Sequence, residues 1–243
     1  MIGLDNPRGL SFGPEGALYV VEAGRGGTDS CALLRGLIRC QGPSGALSRL
    51  WHGTQERVAV GFPSYSDAGA NETTGAHDVA FLGRGRATVS IGFGGDPAQR
   101  ELFGPAGAGF GTLAQVSASG QWRYIADVSA YEAVANPAGG PIDSNPYGLL
   151  AEAGATVVAD AGANALLRVA ANGEVSTIAA FRSRPASSTG AVTTSVARGP
   201  DGAYYVGELT GAPFVAGAAR VYRVVAGTAP EILLEGKLRV LYS

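Results

Sequence analysis

Gly9-Leu10-Ser11-Phe12-Gly13-Pro14-Glu15-Gly16-Ala17-Leu18-Tyr19-Val20-Val21-Glu22 recurs near the other end of the chain as Val196-Ala197-Arg198-Gly199-Pro200-Asp201-Gly202-Ala203-Tyr204-Tyr205-Val206-Gly207-Glu208. Gly13 falls on Gly199, Gly16 on Gly202 and Glu22 on Glu208, all at one offset. A second copy runs from Asp78-Val79-Ala80-Phe81 through Gly85 to Val89-Ser90-Ile91-Gly92. A third runs from Gly148-Leu149-Leu150 through Gly154 to Val157-Val158-Ala159-Asp160. Each copy is a short apolar strand, a turn whose Gly takes positive φ, and a second apolar strand returning antiparallel.

Two further strands follow each copy, at 46–51 and 57–61, 112–116 and 122–128, 166–170 and 175–180, and 220–225 and 231–234. A four-strand set that is apolar on both faces cannot stand alone, and it buries those faces by stacking radially on the next set. The sequence therefore predicts an all-β chain: a β-propeller with four four-stranded blades, at about 6–61, 76–128, 144–181 and 193–236, in one domain over 1–243. Four blades either close a small ring or belong to a larger one, such as a six-bladed propeller. In the second case the open blade edges invite pairing, and a homo-oligomer is expected. A fifth blade begins at Gly236 and stops, and 237–243 fits no repeat.

The copies lie about 70, 68 and 50 residues apart, against roughly 40–45 for a typical blade. The excess falls in 23–45, 62–76, 93–111 and 129–144, read as loops rich in Gly, Pro, Ala and Ser, with a short helical turn at 130–135. Long loops on a rigid scaffold are where function concentrates.

Composition excludes some functions. The net charge is -2 and the 18 Lys and Arg are thinly spread, so no basic footprint for nucleic acid or an anionic membrane exists. Charged residues make up 16% and Gly numbers 38, which suits a turn-rich β fold. No apolar run is long enough for a transmembrane helix. Cys31 and Cys40 read as a disulfide pinning a Gly-rich loop in an oxidising compartment, the alternative being two free thiols. The abrupt start at Met1-Ile2-Gly3 predicts a natural start further upstream. The expected location is extracellular or periplasmic.

Five segments resemble one family. They are Leu4-Asp5-Asn6-Pro7-Arg8-Gly9-Leu10, Gly75-Ala76-His77-Asp78-Val79, Asp143-Ser144-Asn145-Pro146-Tyr147-Gly148-Leu149, Asp160-Ala161-Gly162-Ala163-Asn164 and Gly207-Glu208-Leu209-Thr210-Gly211. Together they are similar to the ScyD/ScyE family of bacterial secreted propellers, over nearly the whole chain up to about Gly236. The resemblance implies a propeller fold and a secreted protein, and no particular activity.

In a propeller the first strand of each blade lines the central channel, and the second strand returns beside it. Strand starts and second-strand ends therefore share one face of the disc. That face gathers Asn6, Arg8, His77, Asp78, Asn145 and Thr194 with Glu22, Asp160 and Glu208. Calcium takes six to eight oxygen ligands in flexible geometry. By likeness to propeller lactonases, Glu22, Asn145, Asp160 and Glu208 are the expected calcium ligands, with Asp96 a weaker candidate. His77 is the expected general base, oriented by Asp78. The cation would polarise a lactone carbonyl and activate a water. The plainer readings are that Asn6-Pro7 and Asn145-Pro146 start turns, that Glu22 and Glu208 form structural ion pairs, and that His77 is a hydrogen-bonded rim residue. His52 falls on the opposite face and reads as structural. No Gly-x-Ser-x-Gly elbow, zinc pattern or phosphate loop occurs.

Two functions follow. One is a calcium-dependent hydrolase of lactones or small esters acting on a small molecule. The other is a non-catalytic binding propeller that recognises a saccharide, peptide or protein partner through its long loops.

Overall fold

The structure, a computed structural model, describes residues 1–69, 72–83, 86–182 and 190–236. The turn at Gly85 and the tail 237–243 lie outside the described residues. The chain is a β-propeller. Blade 2 is β7 (Ala76–Phe81), β8 (Arg86–Ile91), β9 (Thr112–Ser117) and β10 (Trp122–Asp127). Blade 3 is β11 (Pro146–Glu152), β12 (Ala155–Asp160), β13 (Ala165–Ala170) and β14 (Val175–Ala180). Blade 4 is β15 (Thr193–Arg198), β16 (Tyr204–Glu208), β17 (Arg220–Val224) and β18 (Glu231–Glu235). Each is an antiparallel meander in chain order.

Blade 1 is larger than its sequence pattern predicts. It holds β1 (Pro7–Phe12), β2 (Leu18–Glu22), β4 (Leu37–Trp51) and β5 (Thr54–Asp67). The short strands β3 (Ser30–Leu34) and β6 (Thr73–Thr74) pair with the extensions of β4 and β5. The segments 23–45 and 62–76, expected as loops, therefore carry a sheet extension beyond the blade. Gly42, Pro43 and Gly45 disguise it. They sit where the β4–β5 register shifts, and bulges absorb such residues without ending the ladder. Gly27 and Gly42 also let two backbones touch, because a Cβ on either would press on the other's Cα. Cys31 and Cys40 are a cross-strand pair of β3 and β4, and they are joined by a disulfide.

The other two insertions behave differently. Residues 93–111 contain a 3-10 helix, Pro97–Gly109, capped by Asp96 and broken at Gly104. Residues 129–144 begin with helix α1 (Val128–Ala135), whose Asp127 cap accepts from the Ala130 N–H.

The core lies between blades. Tyr19, Val21 and Leu47 of blade 1 meet Val79, Val89 and Val116 of blade 2. Leu113 faces Leu149, Val158 and Leu167, and Val157 and Leu166 face Tyr204 and Val206. The innermost strands pack in sequence, β1 on β7, β7 on β11 and β11 on β15. Among the described residues no comparable contact joins β15 to β1, so the four blades form an open arc. Leu10 and Phe12 at one end and Ile232, Leu233 and Leu234 at the other are exposed.

Candidate functional site

All four blades share one irregularity. The innermost strand bulges just after its start, between Pro7 and Leu10, Ala76 and Asp78, Pro146 and Gly148, and Thr193 and Ser195. Opposite each bulge stands the last residue of the second strand, in turn Glu22, Ile91, Asp160 and Glu208. The fold thus places the acidic series at equivalent positions on one face, as the repeat predicts. The extra residues at the bulges include Arg8, His77, Tyr147 and Thr194. The His77 and Tyr147 rings lie 4.4 Å apart, and the Arg8 charge is felt at His77.

Equivalent positions do not make a shared cation site. Glu22 is fully buried and its oxygens are committed. Arg57 donates to both, Nε to Oε1 at 3.0 Å and Nη2 to Oε2 at 2.6 Å. The Ser48 hydroxyl and the Asp5 N–H add bonds of 2.5 and 2.6 Å. Burial alone would raise this carboxyl, but Arg57, Ser48 and the Asp5 N–H hold it below the ordinary value. Asp160 is as buried and as fully engaged. It accepts from the Ser144 hydroxyl at 2.8 Å and from the N–H groups of Asn145, Gly162 and Ala163 at 2.7 to 3.0 Å. Burial outweighs those donors and lifts it to about 6. Glu208 accepts from the Tyr222 hydroxyl at 2.7 Å. Glu22 and Asp160 each grip the segment leading into their own blade's first strand. The ladder is then locked by Ala23 N–H to the Asn6 carbonyl and Ala161 N–H to the Asn145 carbonyl.

The other predicted residues are also spoken for. The Asn145 side-chain oxygen accepts from the Phe93 N–H at 3.1 Å. Asp78 does not orient His77. Its two oxygens accept from the N–H groups of Val79 and Leu149, both at 2.8 Å, so it ties β7 to β11. His77 is 4% exposed, and its Nδ1 lies 3.2 Å from the Pro146 carbonyl. A carbonyl only accepts, so Nδ1 carries the proton. Burial, with the Arg8 charge, lowers His77 to about 4. It is therefore neutral near neutral pH and shielded from bulk substrate. Asp96 caps the 3-10 helix through Ala98. His52 sits in the β4–β5 turn on the opposite face, its ring 4.1 Å from Trp51. Among the described residues no three His, Cys, Asp or Glu side chains are grouped to hold a metal ion. The donor set does not fit calcium.

The same face holds a feature that the repeat does not reveal. Glu132 of α1 is 1% exposed, and its Oε2 has no hydrogen-bond partner among the described residues. Burial raises its carboxyl to about 7; the Asp160 and Asp143 charges add to this and the Asp143 N–H opposes it. Asp143 is itself raised by burial, against the pull of Arg35 at 3.0 Å. Its Oδ1 is buried and unpaired among the described residues. The sequence marks 130–135 only as a short helical turn. The place of Glu132 one helical turn after buried Val128 is the signal that it points inward.

No family model matches this sequence, and no curated protein matches it. The ScyD/ScyE resemblance rests on the five quoted segments. Solved structures show the fold. A streptogramin B lyase aligns at 12% identity and TM-score 0.55, over 95% of this chain and 55% of that one. Virginiamycin B lyase from Staphylococcus aureus aligns at 11% and TM-score 0.53, over 93% and 55%. A 6-phosphogluconolactonase-like protein from Bacteroides uniformis aligns at 14% and TM-score 0.49, over 97% and 58%, too loosely to carry an argument. The chain spans about half the length of the lyase chains that it matches.

Proposed function

We propose that this chain is a binding propeller that presents the loops of one face to a saccharide, peptide or protein partner. One observation carries the reading: the carboxylate and amide oxygens expected to hold calcium are already bound by protein donors, Glu22 and Asp160 most completely. The same face offers a rigid recognition element in their place. The β3–β4 hairpin is stapled by Cys31–Cys40 and braced by Arg35 on Asp143, and it exposes Leu33, Leu37 and Ile38. The disulfide supports an extracellular or periplasmic location.

The test uses one sample. Lactone hydrolysis is assayed with and without chelator, and the melting temperature is followed through a calcium titration. No turnover and no calcium-dependent shift are expected. Turnover that chelation abolishes would restore the calcium hydrolase.

A further inference from the structure

The opposite face carries a cleft between blades 1 and 2. It opens among the β1–β2 turn, the start of β8 and the β9–β10 turn, and its volume is about 690 Å³. That is within the range of small-molecule sites. Its floor is apolar: Tyr19 and Leu47 from one wall, Phe81, Ala87 and Val116 from the other. The Tyr19 and Phe81 rings pack against each other at its base, their centroids 4.7 Å apart. The outer wall is tight, because a Cβ on Gly120 would overlap the Val58 carbonyl. Trp122 fastens it by donating to the Val60 carbonyl at 2.9 Å.

The rim is unusual in charge. Arg49 is paired with Glu56 and Glu15, and Arg57 with Glu22 and Asp5. Arg86 also lines the cleft, and among the described residues it has no carboxylate partner. A second hollow of about 900 Å³ continues the cleft past Arg57, Val58, Arg86, Ser117 and Gly120. Among the described residues no carboxylate lines this hollow, and the one hydrogen bond of the Arg123 side chain goes to the Gln115 amide at 3.5 Å. In a chain of net charge -2, two uncompensated guanidiniums beside an apolar slot are a local exception. Guanidinium is the side-chain group best shaped for a planar or tetrahedral oxyanion.

We propose that this cleft binds a small ligand that joins an apolar or aromatic body to an oxyanion, with the body on Tyr19 and Phe81 and the oxyanion on Arg86. Arg123 adds a second positive charge at the far edge. The cleft opens away from the stapled hairpin, so it is independent of the partner-binding reading and stands or falls separately.

The experiment is calorimetric titration with three matched probes: 2-naphthalenesulfonate, 2-naphthylmethanol and 2-naphthylmethylammonium. The sulfonate is expected to bind at least tenfold more tightly than the alcohol, and the ammonium more weakly than either. In Arg86→Glu the sulfonate should lose at least tenfold in affinity while the alcohol stays within about twofold. Arg86 is exposed, so the melting temperature of the variant should match the parent and report an intact fold. Chemical-shift changes on sulfonate addition should centre on Tyr19, Phe81 and Val116. Equal affinity for the three probes, no binding of the sulfonate, or an Arg86→Glu variant that binds it unchanged would overturn the proposal.

Discussion

Replacing Glu132 by Gln should stabilise the protein, and by an amount that grows with pH. In the folded chain the Glu132 carboxyl sits near 7, whereas its ordinary value is 4.5. Between those values the native state holds a proton that the unfolded chain has lost, so wild-type stability falls as pH rises through this window. Above it the full cost of the buried charge is present. Raising the carboxyl from 4.5 to about 7 costs about 3 kcal/mol by pH 9. Gln is nearly isosteric and never charges, so it escapes this loss. The same linkage gives less than about 1 kcal/mol at pH 5. For a chain of this length the gain at pH 9 is a melting-temperature rise of roughly 6–12 °C. Urea unfolding of both proteins at pH 5, 7 and 9 measures it. Parallel pH curves, or a variant less stable than wild type at pH 9, would show that Glu132 is not a strained buried charge.

His77 gives the opposite slope on the acid side. Its folded value of about 4 lies below the ordinary 6.5, so the unfolded chain protonates first and stability drains away as pH falls from 6.5 through 4. His77→Asn should flatten that limb by up to about 3 kcal/mol in acid unfolding curves. Glu22→Gln should cost about 2–3 kcal/mol at pH 7, less than a fully buried pair because Arg57 is half exposed; urea midpoints decide this. Gly92→Ala puts a Cβ onto the His77 ring and the Asn145 amide, and should cost about 1–3 kcal/mol by overpacking, read as a drop in melting temperature. Reducing Cys31–Cys40 opens a short loop worth about 2–3 kcal/mol; the loss should appear in hydrogen exchange of the β3–β4 hairpin and leave the blade core protected.

The blades were legible because a propeller repeats its physics. Gly13 and Gly199, or Glu22 and Glu208, stand at the same offset since each copy needs the same turn and the same second strand. The face that these positions share was legible for the same reason. Their chemistry was not, because a carboxylate at a strand end looks the same in sequence whether it awaits a cation or grips its own backbone. The deciding partners, Arg57, Ser48, Ser144 and Tyr222, come from other strands or loops with no fixed spacing. The hairpin extension was hidden by glycines that normally mark loops. Here they mark bulges and close backbone approach. Glu132 escaped notice because its burial is set by packing beneath α1 and not by any motif.

The recurring bulge has a consequence for the shared face. Each blade's innermost strand carries surplus length at the same point, and the chain fills it with Arg8 and Gly9, His77, Tyr147 or Thr194. The ladder resumes after each bulge with a different residue standing there, so the backbone irregularity does not depend on one kind of side chain. One recurring kink thus sets a guanidinium, an imidazole, a phenol and a hydroxyl at equivalent points of four blades.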